Sequence, residues 1–223
     1  TVVETLPDLY GARVFLSAHP AVDAARIGAG GFSFGGVATM LAATHKYNDR
    51  FLADEHFGAF MPVYPATWTY NRVPDFEFGD LVDAPVLLIT GALDQYDNDP
   101  EVSAKLVAGL KAEDRARIRT EVMAESHHGF DMPGIDVEVS DPFGHQGKAG
   151  KVVTRSNKEA TERAHRMAAA DCPSDLKEHA TTSASDHTRA RLRVTQTGGT
   201  AAAQGRDRDA DTPTKPRQTT ARR

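Results

Sequence analysis

Five glycines surround one serine in "RIGAGGFSFGGVATMLAATH", Arg26 to His45, between an apolar run and a helix-like segment. Glycine weakens the interiors of both strands and helices. It is retained where the backbone turns sharply or passes close to another segment. Two chemistries use such a turn: bare backbone that cradles a phosphate, or a nucleophile raised between a strand and a helix.

The phosphate reading fails on spacing. The dinucleotide fingerprint G-x-G-x-x-G/A, aligned on Gly28 and Gly30, places Ser33 where the third glycine belongs. A second glycine-rich segment, "DPFGHQGKAGK", imitates a P-loop. There Gly147-Lys148 is followed by Ala149 and Gly150-Lys151 by Val152, so the magnesium-binding hydroxyl is missing.

The nucleophile reading fits. Gly31-Phe32-Ser33-Phe34-Gly35 matches G-x-S-x-G with a strand before it and a helix after it. A strained backbone would lift the Ser33 hydroxyl above the sheet edge, and glycine at 31 and 35 would prevent collisions with the neighbouring strand and helix. The helix starting near Phe34 would aim its positive end at an oxyanion, with the Phe34 amide as a donor. The alternative is a glycine-rich tight turn carrying a surface serine.

The flanking segments alternate between strand and helix. Strand-like runs fall at about 25–31, 57–63, 85–90 and 117–123, and "APVLLITG" is the clearest, opened by Pro85 and closed by Gly91. Helical segments are "DLYGARVFLSAH", with Leu9, Ala12, Val14 and Phe15 at helical spacing, "VATMLAATHK", "PEVSAKLVAGLKAE" and "SNKEATERAHRMAAA". Ser156 or Asn157 would cap the last. This order implies an α/β fold, a mostly parallel sheet with helices on both faces. Four strands are few for such a sheet, where about five or six are usual, so strands pairing with the first are expected to be absent from the chain.

A serine hydroxyl needs a base, and the base an orienting carboxylate. In the chain order that accompanies this turn the acid follows the nucleophile and histidine comes last. Asp94 follows the clearest strand as "GALD", with Asp97 and Asp99 as competitors on the same loop, Asp99 being the better turn residue. After the last of these strands comes "ESHHGFD", offering His128 or His127. Each of these positions lies just beyond a strand's carboxyl end, where open α/β sheets build their sites.

Composition narrows the partners. The 223 residues carry a net charge of −5, but residues 171–223 hold 10 basic and 7 acidic residues, leaving 16 basic and 24 acidic in 1–170. An acidic body argues against nucleic-acid binding. The 171–223 segment lacks Phe, Trp and Tyr and interleaves its charges ("RDRDAD"), which reads as a disordered, solvated tail. No apolar run approaches the ~20 residues of a membrane span. No leader peptide is visible, so the expectation is a cytoplasmic chain without a membrane partner. Cys172 is the only cysteine, which rules out an internal disulfide and a cysteine-rich zinc site. Oligomeric state is not legible.

The segments "DAARIGAGGFSFGG", "APVLLITGALD" and "HHGFD", with "DPFGHQGKAGKV" after them, resemble the dienelactone hydrolase family of α/β-hydrolases over about residues 8–170. The resemblance implies Ser33 as nucleophile, Asp94 as acid and His128 as base. It also implies hydrolysis of small-molecule carboxylic esters or lactones with no metal or organic cofactor. The founding members use cysteine where Ser33 stands, which points away from the dienelactone substrate. Family members have further strands upstream, including the loop that gives the second oxyanion donor, so residues 1–170 are expected to form a partial domain. Family chains also close differently from residues 171–223, and a reading-frame shift near residue 170 would account for that tail.

Two other functions remain open: an inactive relative serving as a binding module, and a peptidase of the prolyl-oligopeptidase type. "YPATWTYNRVPDFEF" either lines a pocket mouth, with Tyr64, Trp68 and Tyr70 contacting substrate, or only covers the sheet end. The length and glycine content of "DPFGHQGKAG" read as a mobile flap.

Overall fold

All four expected strand-like runs contain strands, and these form one parallel sheet. In the computed structural model, which describes residues 1–171, these are β1 (Ala29–Phe32), β2 (Phe60–Val63), β3 (Val86–Gly91) and β4 (Ile118–Met123), paired in the order β1-β2-β3-β4. The tail expected to be disordered over 171–223 lies, beyond Asp171, outside the described residues.

Parallel pairing demands crossovers, and helices cover both faces of the sheet. Strand β3 shows how the layers form. All six of its residues are buried, with Val86 and Leu88 facing a core built on α1 (Val2–Ser17), α2 (Phe34–Ala42) and α3 (His45–Phe51). Leu87 and Ile89 face the opposite core, where Ala160, Ala164 and Met167 of the C-terminal helix (Lys158–Asp171) pack at helical spacing. Asn157 caps that helix, its side chain accepting from the Ala160 amide at 3.1 Å.

Helix α1 departs from its expected face. It starts at Val2, with Pro7 accommodated inside it, and buries Val2, Leu6, Tyr10 and Arg13. Val14 and Phe15, expected inward, are 52% and 73% exposed. The face is set by Tyr10 stacking on Phe51 at 4.6 Å and by Arg13, which donates to the His56 carbonyl at 3.1 Å and pairs with Glu55. The helix expected around residues 100–113 breaks at Gly109 into α4 (Val102–Ala108) and α5 (Ala112–Arg117).

Beyond β4 the chain forms a hairpin that sequence alone did not indicate. Strands β5 (Asp136–Asp141) and β6 (Gly150–Arg155) pair antiparallel. A single tight turn, α6 (Gly144–Gly147), joins them, with His145 and Gln146 in the left-handed region at φ 54° and 59°. The helix at Lys158–Asp171 is therefore α7. Among the described residues no helix is long and apolar enough to cross a membrane.

Candidate active site

Strand β1 ends at Phe32 and α2 begins at Phe34, so Ser33 alone makes the turn, at φ 52° and ψ −117°. A non-glycine residue there is strained, and the surroundings impose it. The Ser33 amide donates to the Val63 carbonyl at 2.9 Å, while its own carbonyl accepts from Val37 at 2.9 Å, the first turn of α2. A Cβ at Gly31 would lie 2.2 Å from the Gly35 carbonyl oxygen, and one at Gly36 would lie 2.8 Å from that of Val63. At Gly35, by contrast, a Cβ would meet no atom within 4 Å. The expected crowding at Gly35 is therefore absent. What Gly31 must avoid is the backbone of Gly35, and Gly36 carries the close approach to β2.

The loop that carries Asp94 leaves the end of β3. A Cβ at Gly91 would lie 2.4 Å from the Ser126 carbonyl oxygen, so only glycine lets the loop after β4 pass so near. The Leu93 amide donates to that same carbonyl at 2.9 Å. This contact brings residues 126–128 beside Asp94. The Asp94 side chain is 2% exposed as a residue, accepts from the Tyr96 amide through Oδ1 at 2.8 Å, and takes His128 Nδ1 on Oδ2 at 2.8 Å. The other imidazole nitrogen, Nε2, lies 2.7 Å from Ser33 Oγ. These contacts fix the tautomer, with Nδ1–H donating to Asp94 and Nε2 accepting from the serine hydroxyl. His127, the alternative histidine, has its Nδ1 buried without a partner.

The neighbouring carboxylates are occupied elsewhere. Asp97 accepts the Trp68 amide at 2.8 Å, and burial, reinforced by the charge of Asp94, pushes its pKa up to about 7. Asp99 accepts from Lys105 and the Glu101 amide, and the lysine holds its pKa below the usual value.

The aromatic residues named from sequence take separate places. Tyr64 is 2% exposed; its ring centroid is 4.6 Å from that of His128, and its hydroxyl donates to Asp131. It packs edge-on against the histidine ring. Trp68 and Tyr70 wall a cavity of about 270 Å³ together with Arg72 and Lys105, and the cavity's lining residues do not include Ser33. Around the serine itself stand Phe32 and Phe34, 48% and 53% exposed, flanking it in the chain. As the first residue of α2, Phe34 has no intrahelical acceptor for its amide, which leaves that donor beside Ser33.

Sequence reasoning missed Tyr96, whose ring centroid is 4.4 Å from that of His128. The segment between β5 and β6, expected as a flap, lies against the loop that carries Asp94. That segment is hydrogen-bonded to the loop after β3: the His145 and Gln146 amides donate to the carbonyls of Gln95 and Tyr96 at 2.7 and 3.0 Å, and the Gln146 side chain donates to the Asp97 carbonyl at 2.6 Å. Among the described residues, no group of three or more His, Cys, Asp or Glu side chains is arranged to hold a metal ion.

No protein-family model matches the chain, and no curated protein matches it. Among solved structures the chain is similar to Thermogutta terrifontis esterase 2 phosphorylated by paraoxon, with 16% identity and a TM-score of 0.46. The match covers 75% of this chain and 60% of that one.

Proposed function

We propose that the chain is a serine hydrolase of carboxylic esters or lactones, similar to the dienelactone hydrolases, working through an acyl-enzyme. The observation that carries this reading is the relay Ser33 Oγ–His128 Nε2 at 2.7 Å and His128 Nδ1–Asp94 Oδ2 at 2.8 Å, hung on a strained serine.

In this mechanism Ser33 Oγ attacks the ester carbonyl while its proton passes to His128 Nε2. General-base assistance of this kind contributes about 10²–10⁴-fold. Asp94 keeps the imidazole oriented and stabilises the imidazolium. The Phe34 amide and the positive end of α2 meet the developing oxyanion. His128 then protonates the leaving alkoxide, and a water activated by the same imidazole releases the acid and restores Ser33. The half-exposed Phe32 and Phe34 beside the nucleophile favour substrates with an apolar group near the carbonyl.

A panel of short acyl esters, lactones and aminoacyl amides tests the reading and separates esterase from peptidase. Hydrolysis of an ester or lactone, reduced about a thousandfold or more in Ser33→Ala, is the expected outcome. Equal rates in the two proteins would overturn it.

A further inference from the structure

We propose that Tyr96 is a positioning residue that holds the His128 imidazole in its working orientation and couples it to the β5–β6 hairpin. The inference rests on reading Ser33 as the nucleophile and His128 as its base.

The two hydrogen bonds of His128 run from its ring nitrogens and lie close to the ring plane. They fix the ends of the imidazole but resist its rotation about the Nδ1–Nε2 line only weakly. Neighbouring rings supply that restraint. Tyr96 packs at 4.4 Å between centroids with an interplanar angle of 52°, and Tyr64 at 4.6 Å with 61°. Each tyrosine is itself tied down through its hydroxyl, Tyr64 to Asp131 and Tyr96 to Asp141 Oδ2, the latter at 2.8 Å. Burial raises both phenols above their ordinary pKa, helped by the adjacent carboxylates, so both remain donors at neutral pH.

Tyr96 differs from Tyr64 in touching the acid, the base and the hairpin at once. Its amide donates to Asp94 Oδ1, its ring meets His128, its carbonyl accepts from the Gln146 amide at 3.0 Å, and its hydroxyl reaches Asp141 at the end of β5. The hairpin grips the histidine from the other side as well, because the Arg155 amide donates to the His128 carbonyl at 3.2 Å. A shift of the hairpin would therefore move acid and base together. Misplacement of reacting groups by about 1 Å can cost 10²-fold in rate, which gives this residue leverage without any contact with substrate.

The test compares Tyr96→Leu, which removes the ring, with Tyr96→Phe, which keeps the ring and loses only the Asp141 anchor. For Tyr96→Leu, kcat should fall about 10- to 100-fold with KM within about twofold, while Tyr96→Phe recovers most of that loss. The low-field proton resonance of the His128–Asp94 hydrogen bond should be present in the wild type and the Phe variant and lost in the Leu variant. Tyr96 is only half-buried, and Tyr96→Met serves in place of the Leu variant should that one not fold. The proposal is overturned if Leu and Phe variants have equal kcat, if the loss appears in KM, or if the low-field proton persists without the ring. The proton signal also separates the two claims. A wild type that cleaves no ester but loses this resonance in Tyr96→Leu contradicts the hydrolase reading and leaves the positioning role standing.

Discussion

At the scale of single residues, the site depends on which glycines the backbone cannot replace. The G-x-S-x-G pattern treats its two glycines alike, whereas the structure gives them different tasks. Gly31 faces the Gly35 carbonyl oxygen at 2.2 Å from any added Cβ, Gly36 faces that of Val63 at 2.8 Å, and Gly35 faces open space. Gly31→Ala and Gly36→Ala should each destabilise the fold by about 1–3 kcal/mol, the usual cost of forcing a methyl into packed backbone. Gly35→Ala, inside a helix that favours alanine, should be neutral or stabilising by up to about 1 kcal/mol. Urea midpoints of the three variants read the difference directly, and equal losses at 31 and 35 would contradict the geometry. The pattern carried the place of Ser33 between strand and helix but not this distinction, because steric need is set by how β1 meets α2 and β2 in three dimensions.

At the scale of elements, the loop between β3 and α4 combines buried carboxyl groups with tight packing. Asp97 sits three residues from Asp94, 2% exposed, with its pKa raised by burial to about 7 from its ordinary value of 3.8. Below that lower value both folded and unfolded states carry the proton, so the group contributes no pH dependence. Between about pH 4 and 7 the unfolded chain releases its proton while the folded chain keeps it, so stability falls as pH rises. Above 7 the loss is complete. Asp97→Asn keeps an acceptor for the Trp68 amide and removes the titration. The variant should therefore lack this slope, which amounts to at most about 1.4 kcal/mol per pH unit. Denaturant unfolding of both proteins from pH 4 to 8 measures this, and parallel stability curves would rule it out.

The elements also show where sequence stops being informative. Strands β2 and β3 were legible because their apolar runs end at Pro65 and Gly91, β1 because it runs into the glycine turn, and β4 because "RIRTEVMA" alternates. The β5–β6 hairpin was not, because Val137 and Val139 are each 45% exposed and alternate with charged residues, a weak pattern beside the glycine-rich turn. The grouping of Ser33, Asp94 and His128 could be read from order and strand ends. Tyr64 and Tyr96 could not be placed against His128, since a tyrosine's partners depend on tertiary contact rather than spacing.

At the scale of the molecule, parallel topology explains why three side chains far apart in sequence meet. Ser33 follows β1, Asp94 follows β3 and His128 follows β4. Parallel strands put all three carboxyl ends on the same side of the sheet. The two cores on opposite faces of β3 hold that edge fixed. The hairpin beyond β4 then closes on it, through the Tyr96–Asp141 and Gln146–Asp97 contacts. The proposed chemistry is thus a property of the assembled sheet edge, since neither Ser33 nor His128 would be activated outside it.

The most direct test is a fluorophosphonate, which reacts with a serine only when its hydroxyl is activated and its oxyanion supported. Treated with such a probe and analysed by peptide mass spectrometry, the folded chain should carry one adduct, on Ser33. That adduct should disappear in Ser33→Ala and form far more slowly in His128→Ala. An unlabelled Ser33 in the folded protein, or labelling that survives Ser33→Ala, would contradict the account.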